Sequence, residues 1–169
     1  MEIVAGVAPE LPEVDFHVIG GLNDDVEFWQ GKLKCDNVFF HGFVEQSVLS
    51  SYINCLDVCL LPNQKAVLSY GAQQGNHHDI GKYTSPLKMF DYMAHRKPIV
   101  ASDLAVLREV LRDDTAILIK HDDIPAWKDA IIKLKSEALR EKYSARAFEL
   151  FAREHTWEIR AKQVLAGLE

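Results

Sequence analysis

A doubly wound α/β fold with a parallel sheet and a helical C-terminal tail follows from three observations. Five short apolar runs, rich in β-branched and aromatic residues, punctuate the first 120 residues. They are nearly continuous in apolar character rather than alternating, the pattern of parallel strands covered by helices on both faces. Helical segments fill the intervals between them, so strand followed by helix repeats along the chain.

The elements follow in order. Ile3, Val4, Val7 and Ala8 read as the last turns of an amphipathic helix lying before the first strand. The strands are predicted at Asp15 to Gly20, Asn37 to Phe43, Asp57 to Pro62, Pro98 to Ser102 and Ala116 to Lys120. Asn23 or Asp24 caps a short helix through Trp29, Glu45 or Gln46 opens one running to Cys55, and Ser85 opens one running to Ala94. Another follows Asp103, whose carboxylate suits an N-cap acceptor. From Asp122 onward the chain is helical. Trp127, Ala130, Ile131 and Leu134 share one face, as do Leu139, Tyr143, Ala147 and Phe151, and Thr156 caps a last helix carrying Ile159 and Val164. Residues 1–122 therefore form the α/β core and residues 123–169 a set of helices packed on the same domain.

A fold of this kind that opens with a helix lacks a strand. In a sheet ordered 3-2-1-4-5-6 the first strand is central. Its neighbours here are the Asp15 to Gly20 and Asp57 to Pro62 strands. A sheet left with a gap there is disfavoured, because buried backbone groups lose partners at about 1–3 kcal/mol each. Either those strands close on each other, or another segment or chain pairs with them, or the chain is part of a larger whole.

Composition narrows the class. Hydrophobic residues make up 48% and charged residues 26%, which excludes disordered and low-complexity chains. The 169 residues suffice for one domain. Nineteen Lys and Arg against 25 Asp and Glu give a net charge of −6, which favours neither nucleic acid nor an anionic membrane. Any anionic ligand must be held locally. No stretch reaches the roughly 20 apolar residues of a membrane helix, and the N-terminus is unlike a signal peptide, so a cytoplasmic location is expected. Cys35, Cys55 and Cys59 form no CxxC pair and read as buried or half-buried thiols.

Two regions carry candidate chemistry. Asn63 to Thr84 is far longer than the usual βα loop of about 2–6 residues and follows a strand, where open α/β sheets bind ligands. It is expected to be mobile and to lie beside the helix opened by Ser85. His77, His78 and Asp79 within it, with Cys59 near the same sheet edge, match no zinc spacing, so no metal is expected. The second region is TSPLKMFDYMAHRKPIVASD, Thr84 to Asp103. Ser85 as N-cap and Pro86 at the first helical position leave the N–H groups of Leu87, Lys88 and Met89 pointing out of the helix end, a ready anion site. Lys88 opposes the helix dipole unless an anion sits beside it. Asp91, three residues on, shares its face and could accept two hydroxyl hydrogen bonds, as a ribose diol requires. A surface Lys88–Asp91 pair explains the same spacing equally well. His17 reads as a core residue, and Gly20-Gly21 lacks the GxGxxG pattern and fits a tight turn.

Taken in order, LPEVDFHVIGG, NVFFHGFV, YINCLDVCLLPN and SPLKMFDYMAHRKPIVASDLAVLREVL resemble the C-terminal, nucleotide-sugar-binding domain of GT-B glycosyltransferases, in particular the retaining group 1 family. The resemblance runs from about Val4 to the last helix. It implies one Rossmann-like half of a GT-B fold, with donor diphosphate on the helix opened by Ser85, Asp91 on the ribose, and Phe43 and Val44 near the base. The family's pair of glutamates corresponds here to Tyr83 and Asp91, and Glu109 matches an acid in its following segment. The implied donor-binding residues are therefore Phe43, Val44, Tyr83, Ser85, Pro86, Leu87, Lys88 and Asp91, and no catalytic residue is assigned.

What the resemblance implies is a glycosyltransferase half that binds a nucleoside diphosphate sugar and moves the sugar to an acceptor hydroxyl with retention. No cofactor or metal is expected. The expected partners are the nucleoside diphosphate sugar and a missing N-terminal acceptor-binding domain. Peripheral membrane association of the parent enzyme and self-association through an exposed sheet are further expectations, and nucleic acid is not one. Two alternatives stay open: a GT-B-type nucleotide-sugar epimerase, and a non-catalytic nucleotide or partner-binding module. The 169-residue chain alone is expected to transfer no sugar.

Overall fold

A computed structural model of the chain describes residues 1–66 and 86–166. All five predicted strands form: β1 (Phe16–Ile19), β2 (Val38–Gly42), β3 (Cys59–Leu61), β4 (Ile99–Ser102) and β5 (Ile117–Ile119). Every pairing among them is parallel. The helices are α1 (Glu2–Val7), α2 (Asn23–Lys32), α3 (Gln46–Cys55), α4 (Leu87–Ala94), α5 (Ala105–Arg108), α6 (Ile124–Lys133), α7 (Glu137–Glu154) and α8 (Trp157–Ala166).

The strands form two ladders, β1–β2 and β3–β4–β5, rather than one sheet. Among the described residues β1 and β3 do not close on each other and no other strand joins them. Among the described residues the sheet is thus interrupted at the place of the first strand, the arrangement that backbone desolvation disfavours. Apolar packing holds the ladders together. On one face α1 and α6 bring Ile3, Val4, Val7, Trp127, Ile131 and Leu134 into a single core with Phe16 of β1, Val100 of β4 and Ile119 of β5. On the other face Met89 and Met93 of α4, Leu107 of α5 and Ala147 and Leu150 of α7 cover Leu61, Ile99 and Ala101. β4 is buried at all four positions, as expected of a strand covered on both sides.

Local chemistry sets the helix ends. Asp123 accepts from the Ala126 N–H at 3.1 Å and starts α6, and Thr156 accepts from the Ile159 N–H at 3.3 Å and starts α8 as expected. Lys97 donates to the carbonyls of Asn54 and Leu56 at 2.8 and 2.7 Å, so the C-terminal end of α3 is fastened to the lead-in of β4. Gly20 and Gly21 after β1 have φ of +98° and +101°, a backbone that glycine adopts without strain.

Three expectations are corrected. Asp103 does not cap α5, whose N-cap is Leu104 with no side-chain bond; its carboxylate instead takes both Nε and Nη2 of Arg108, a bidentate pair that outbids a single backbone N–H. Helix α2 begins after Leu22, and neither Asn23 nor Asp24 caps it. Cys59 is buried and Cys35 half-buried, but Cys55 is exposed at the end of α3.

Candidate functional site

Helix α4 follows β3 and precedes β4, and these strands are parallel. Its N-terminus therefore faces the C-terminal ends of the strands, where Phe43 and Val44 also lie, directly after β2. The described part of the predicted site, Phe43, Val44 and Pro86 to Asp91, thus falls on one edge of the fold. Tyr83, Ser85 and the segment carrying His77, His78 and Asp79 lie outside the described residues.

The first turn of α4 differs from expectation in one respect. Pro86 occupies the N-cap position with an extended backbone (φ −73°, ψ 117°), and Leu87 is the first helical residue. The N–H of Met89 donates to the Pro86 carbonyl at 3.0 Å, which removes it from the predicted anion donors. Leu87 and Lys88 keep the N–H groups that a helix start leaves without an intrahelical acceptor. Lys88 is exposed and Asp91 half-buried. Among the described ion pairs none joins the two, so the simple surface pair that the spacing allowed does not form.

Asp91 is set in place from below. Met89 and Met93 on the opposite face are fully buried, which fixes the rotation of the helix. The Asp91 carbonyl lies 2.7 Å from Nδ1 of His95, which tightens the following turn and leaves the carboxylate for other partners. Neighbouring Tyr92 has its phenol pushed up, first by burial and then by the nearby Cys59 and Asp91, so it stays a neutral hydroxyl at neutral pH. Two large apolar side chains stand out at this edge: Phe43 is 83% and Leu87 72% exposed. A donor helix end, a lysine, a carboxylate and exposed apolar surface together suit a ligand with an anionic centre and a flat or apolar end. Glu109 is exposed directly after α5.

His17 is not a core residue. Its side chain is exposed, with Nδ1 2.9 Å from Nε2 of His41, and it stacks between Phe39 and His41 at centroid distances of 5.2 Å. Tyr52 of α3 meets His41 edge-on. His17, His41 and Tyr52 border a cavity of about 320 Å³ that also touches Ile19, Ser51, Cys55 and Leu56. It lies between β1, β2 and α3, and no residue of α4 lines it. Sequence reading missed this constellation; the available signal was a histidine in each of two neighbouring predicted strands, His17 registering with Phe39 and His41 lying two residues further along β2.

The glycosyl transferases group 1 model matches residues 1–137. The chain belongs to this family. It is 26% identical over its whole length to a phosphatidyl-myo-inositol mannosyltransferase of Mycobacterium leprae and spans 41% of that protein. Among solved structures it superimposes on HepE of Anabaena, crystallised with UDP-glucose, with a TM-score of 0.71 at 13% identity over 96% of this chain and 44% of that one. The C-terminal domain of a group 1 glycosyltransferase, LpcC of Francisella tularensis, gives a TM-score of 0.62 at 18% identity over 92% of this chain and 77% of that one. The fold is that of a GT-B half.

Proposed function

We propose that this chain is the donor-binding half of a glycosyltransferase, and that it holds a nucleoside diphosphate sugar at the N-terminus of α4. The observation that carries the reading is the pairing of an open helix start and exposed Lys88 with a half-buried Asp91 one turn along. The diphosphate lies against the Leu87 and Lys88 N–H groups, where the helix dipole and the ammonium favour negative charge. Asp91 accepts from the ribose hydroxyls, and Phe43 and Val44 flank the base. As the sugar leaves for an acceptor hydroxyl, with retention, charge builds on the diphosphate, and the same donors stabilise it without moving. The UDP-glucose held by HepE, a protein of the same fold, supports the ligand class.

Titration calorimetry with UDP and GDP tests this. Asp91→Ala weakens binding by about 1–3 kcal/mol, through loss of charge-assisted hydrogen bonds. Equal affinity of wild type and variant removes Asp91 from the ribose role.

A further inference from the structure

The register of β1 against β2 contains one irregularity. Phe16, His17 and Val18 pair in turn with Val38, Phe39 and Phe40, but Ile19 pairs with Gly42, so His41 is an extra residue in β2 with no partner opposite it. Gly42 follows at φ +64°, again a glycine conformation. A bulge of this kind is uncommon between parallel strands and re-aims the side chain it carries. Here it leaves the His41 ring beside His17, Nε2 to Nδ1 at 2.9 Å, with the two ring planes only 24° apart. Phe39 lies along His17 with ring planes 20° apart, and Tyr52 of α3 meets His41 edge-on. Among the described hydrogen bonds each imidazole takes part in the shared one alone, so neither facing nitrogen is claimed by another group.

The geometry points to a metal site at this pair, in which His17 Nδ1 and His41 Nε2 together bind a late first-row transition-metal ion such as zinc(II) or copper(II). Neutral imidazole nitrogens are the donors such ions take. At bond lengths of about 2.0–2.1 Å, two nitrogens on a tetrahedral zinc lie about 3.3 Å apart, a few tenths of an ångström beyond the separation seen here. Both histidines are exposed, so the ion enters from solvent and the rings make that adjustment without disturbing a core. In the free pair one facing nitrogen donates its N–H to the other. On binding, that proton moves to the outer nitrogen of the same ring, both facing lone pairs go to the metal, and no net proton is lost. No three His, Cys, Asp or Glu side chains form a metal cage among the described residues, so the remaining coordination positions stay with water, as in an open site rather than a closed structural one. Bound there, the ion ties the bulge of β2 to β1, two residues ahead of Phe43. No residue of α4 lines the adjoining cavity, so the site is separate from the donor helix and stands independently of the nucleotide reading.

Zinc chloride titrated into the full chain tests the site through long-range proton–nitrogen spectra of the imidazole rings. Nδ1 of His17 and Nε2 of His41 shift together and saturate at one equivalent, whereas the rings of His95, His121 and His155 do not move. Calorimetry, in a chain carrying His77→Gln and His78→Gln so that this adjacent pair does not compete, gives one zinc per chain. His17→Gln and His41→Gln each weaken it about tenfold or more, and Cys55→Ser, which alters the other soft donor bordering the cavity, changes it less than about twofold. Saturating zinc raises the melting midpoint by about 3 °C or more when both histidines are present and not in either variant. Copper(II) binds more tightly than zinc and manganese(II) less tightly, and magnesium gives no shift. Unmoved ring resonances of His17 and His41 at saturating zinc overturn the site, and because they are read with both histidines in place, a variant that fails to fold does not decide the matter. Shifts at Nε2 of His17 and Nδ1 of His41 instead, zinc binding that survives in the double His17→Gln/His41→Gln variant, or a response to magnesium equal to that of zinc also overturn it. A tenfold loss in Cys55→Ser overturns the two-imidazole ligand set.

Discussion

Asn37 shows how much one polar side chain can organise. It is buried, and its Nδ2 donates to the carbonyls of Ala8, Leu11 and Val14 at 3.0, 2.9 and 2.9 Å. It thus ties the connection between α1 and β1 to the start of β2. Asn37→Ala strands those carbonyls in the interior and costs about 1–3 kcal/mol, and Asn37→Asp costs more, because it sets an acceptor against acceptors; urea unfolding midpoints read both, and an unchanged Ala variant would contradict the account. In the sequence Asn37 is just the first residue of a strand, since its partners lie 29, 26 and 23 positions earlier and no local pattern announces them. Cys59 was more legible, because an apolar run around a lone cysteine implies burial. Burial pushes its thiol up to about 12, against a smaller opposing pull from Lys97. At pH 8 it therefore remains protonated, and with an aromatic disulfide reagent exposed Cys55 reacts first and Cys59 only on unfolding. Rapid reaction of all three thiols in the native chain would refute the burial of β3.

The elements were readable where a single local force decides them. Five apolar runs became five strands, and Thr156 became a cap, because side-chain hydrophobicity and one short-range hydrogen bond suffice. Asp103 was misread because a guanidinium five residues on competes for its carboxylate, and His17 because position in a strand does not reveal which face another element covers. The donor helix was half legible: Lys88 and Asp91 fall as their spacing requires, but the Pro86 carbonyl takes the Met89 N–H, a detail of the first turn that composition does not encode. Contact between helices is similarly hidden. Gly6 of α1 lies so close to α6 that a Cβ there would stand 2.6 Å from Cδ1 and 3.1 Å from Cγ2 of Ile124. Gly6→Val is thus expected to cost about 1–3 kcal/mol by overpacking, and Ile124→Ala in the same chain to recover part of it, since the two sites share one contact. Thermal denaturation of the two single variants and the double variant measures the coupling; strictly additive losses would place the cost elsewhere.

At the scale of the molecule, more than binding has to be asked of the proposed donor-binding half of a glycosyltransferase. Transfer requires an acceptor hydroxyl held against the anomeric carbon, and holding two reactants in register is worth about 7–11 kcal/mol of barrier. The candidate donor site supplies a helix end, a lysine and a carboxylate, all toward one substrate, at an edge where Phe43 and Leu87 are 83% and 72% exposed. The described residues of that edge neither position a second substrate nor exclude water from the first. The chain spans 41% of the mannosyltransferase to which it is 26% identical, and the acceptor side belongs, on our reading, to the remainder. Binding and turnover should therefore separate. The purified 169-residue chain should bind UDP or GDP in a way that depends on Asp91, yet show no sustained transfer from a labelled nucleotide sugar to any acceptor offered, at any concentration of either. Slow release of free labelled sugar is compatible with this, because water can reach an open donor site, whereas accumulation of a glycosylated product over many turnovers would mean that the described edge already contains an acceptor site.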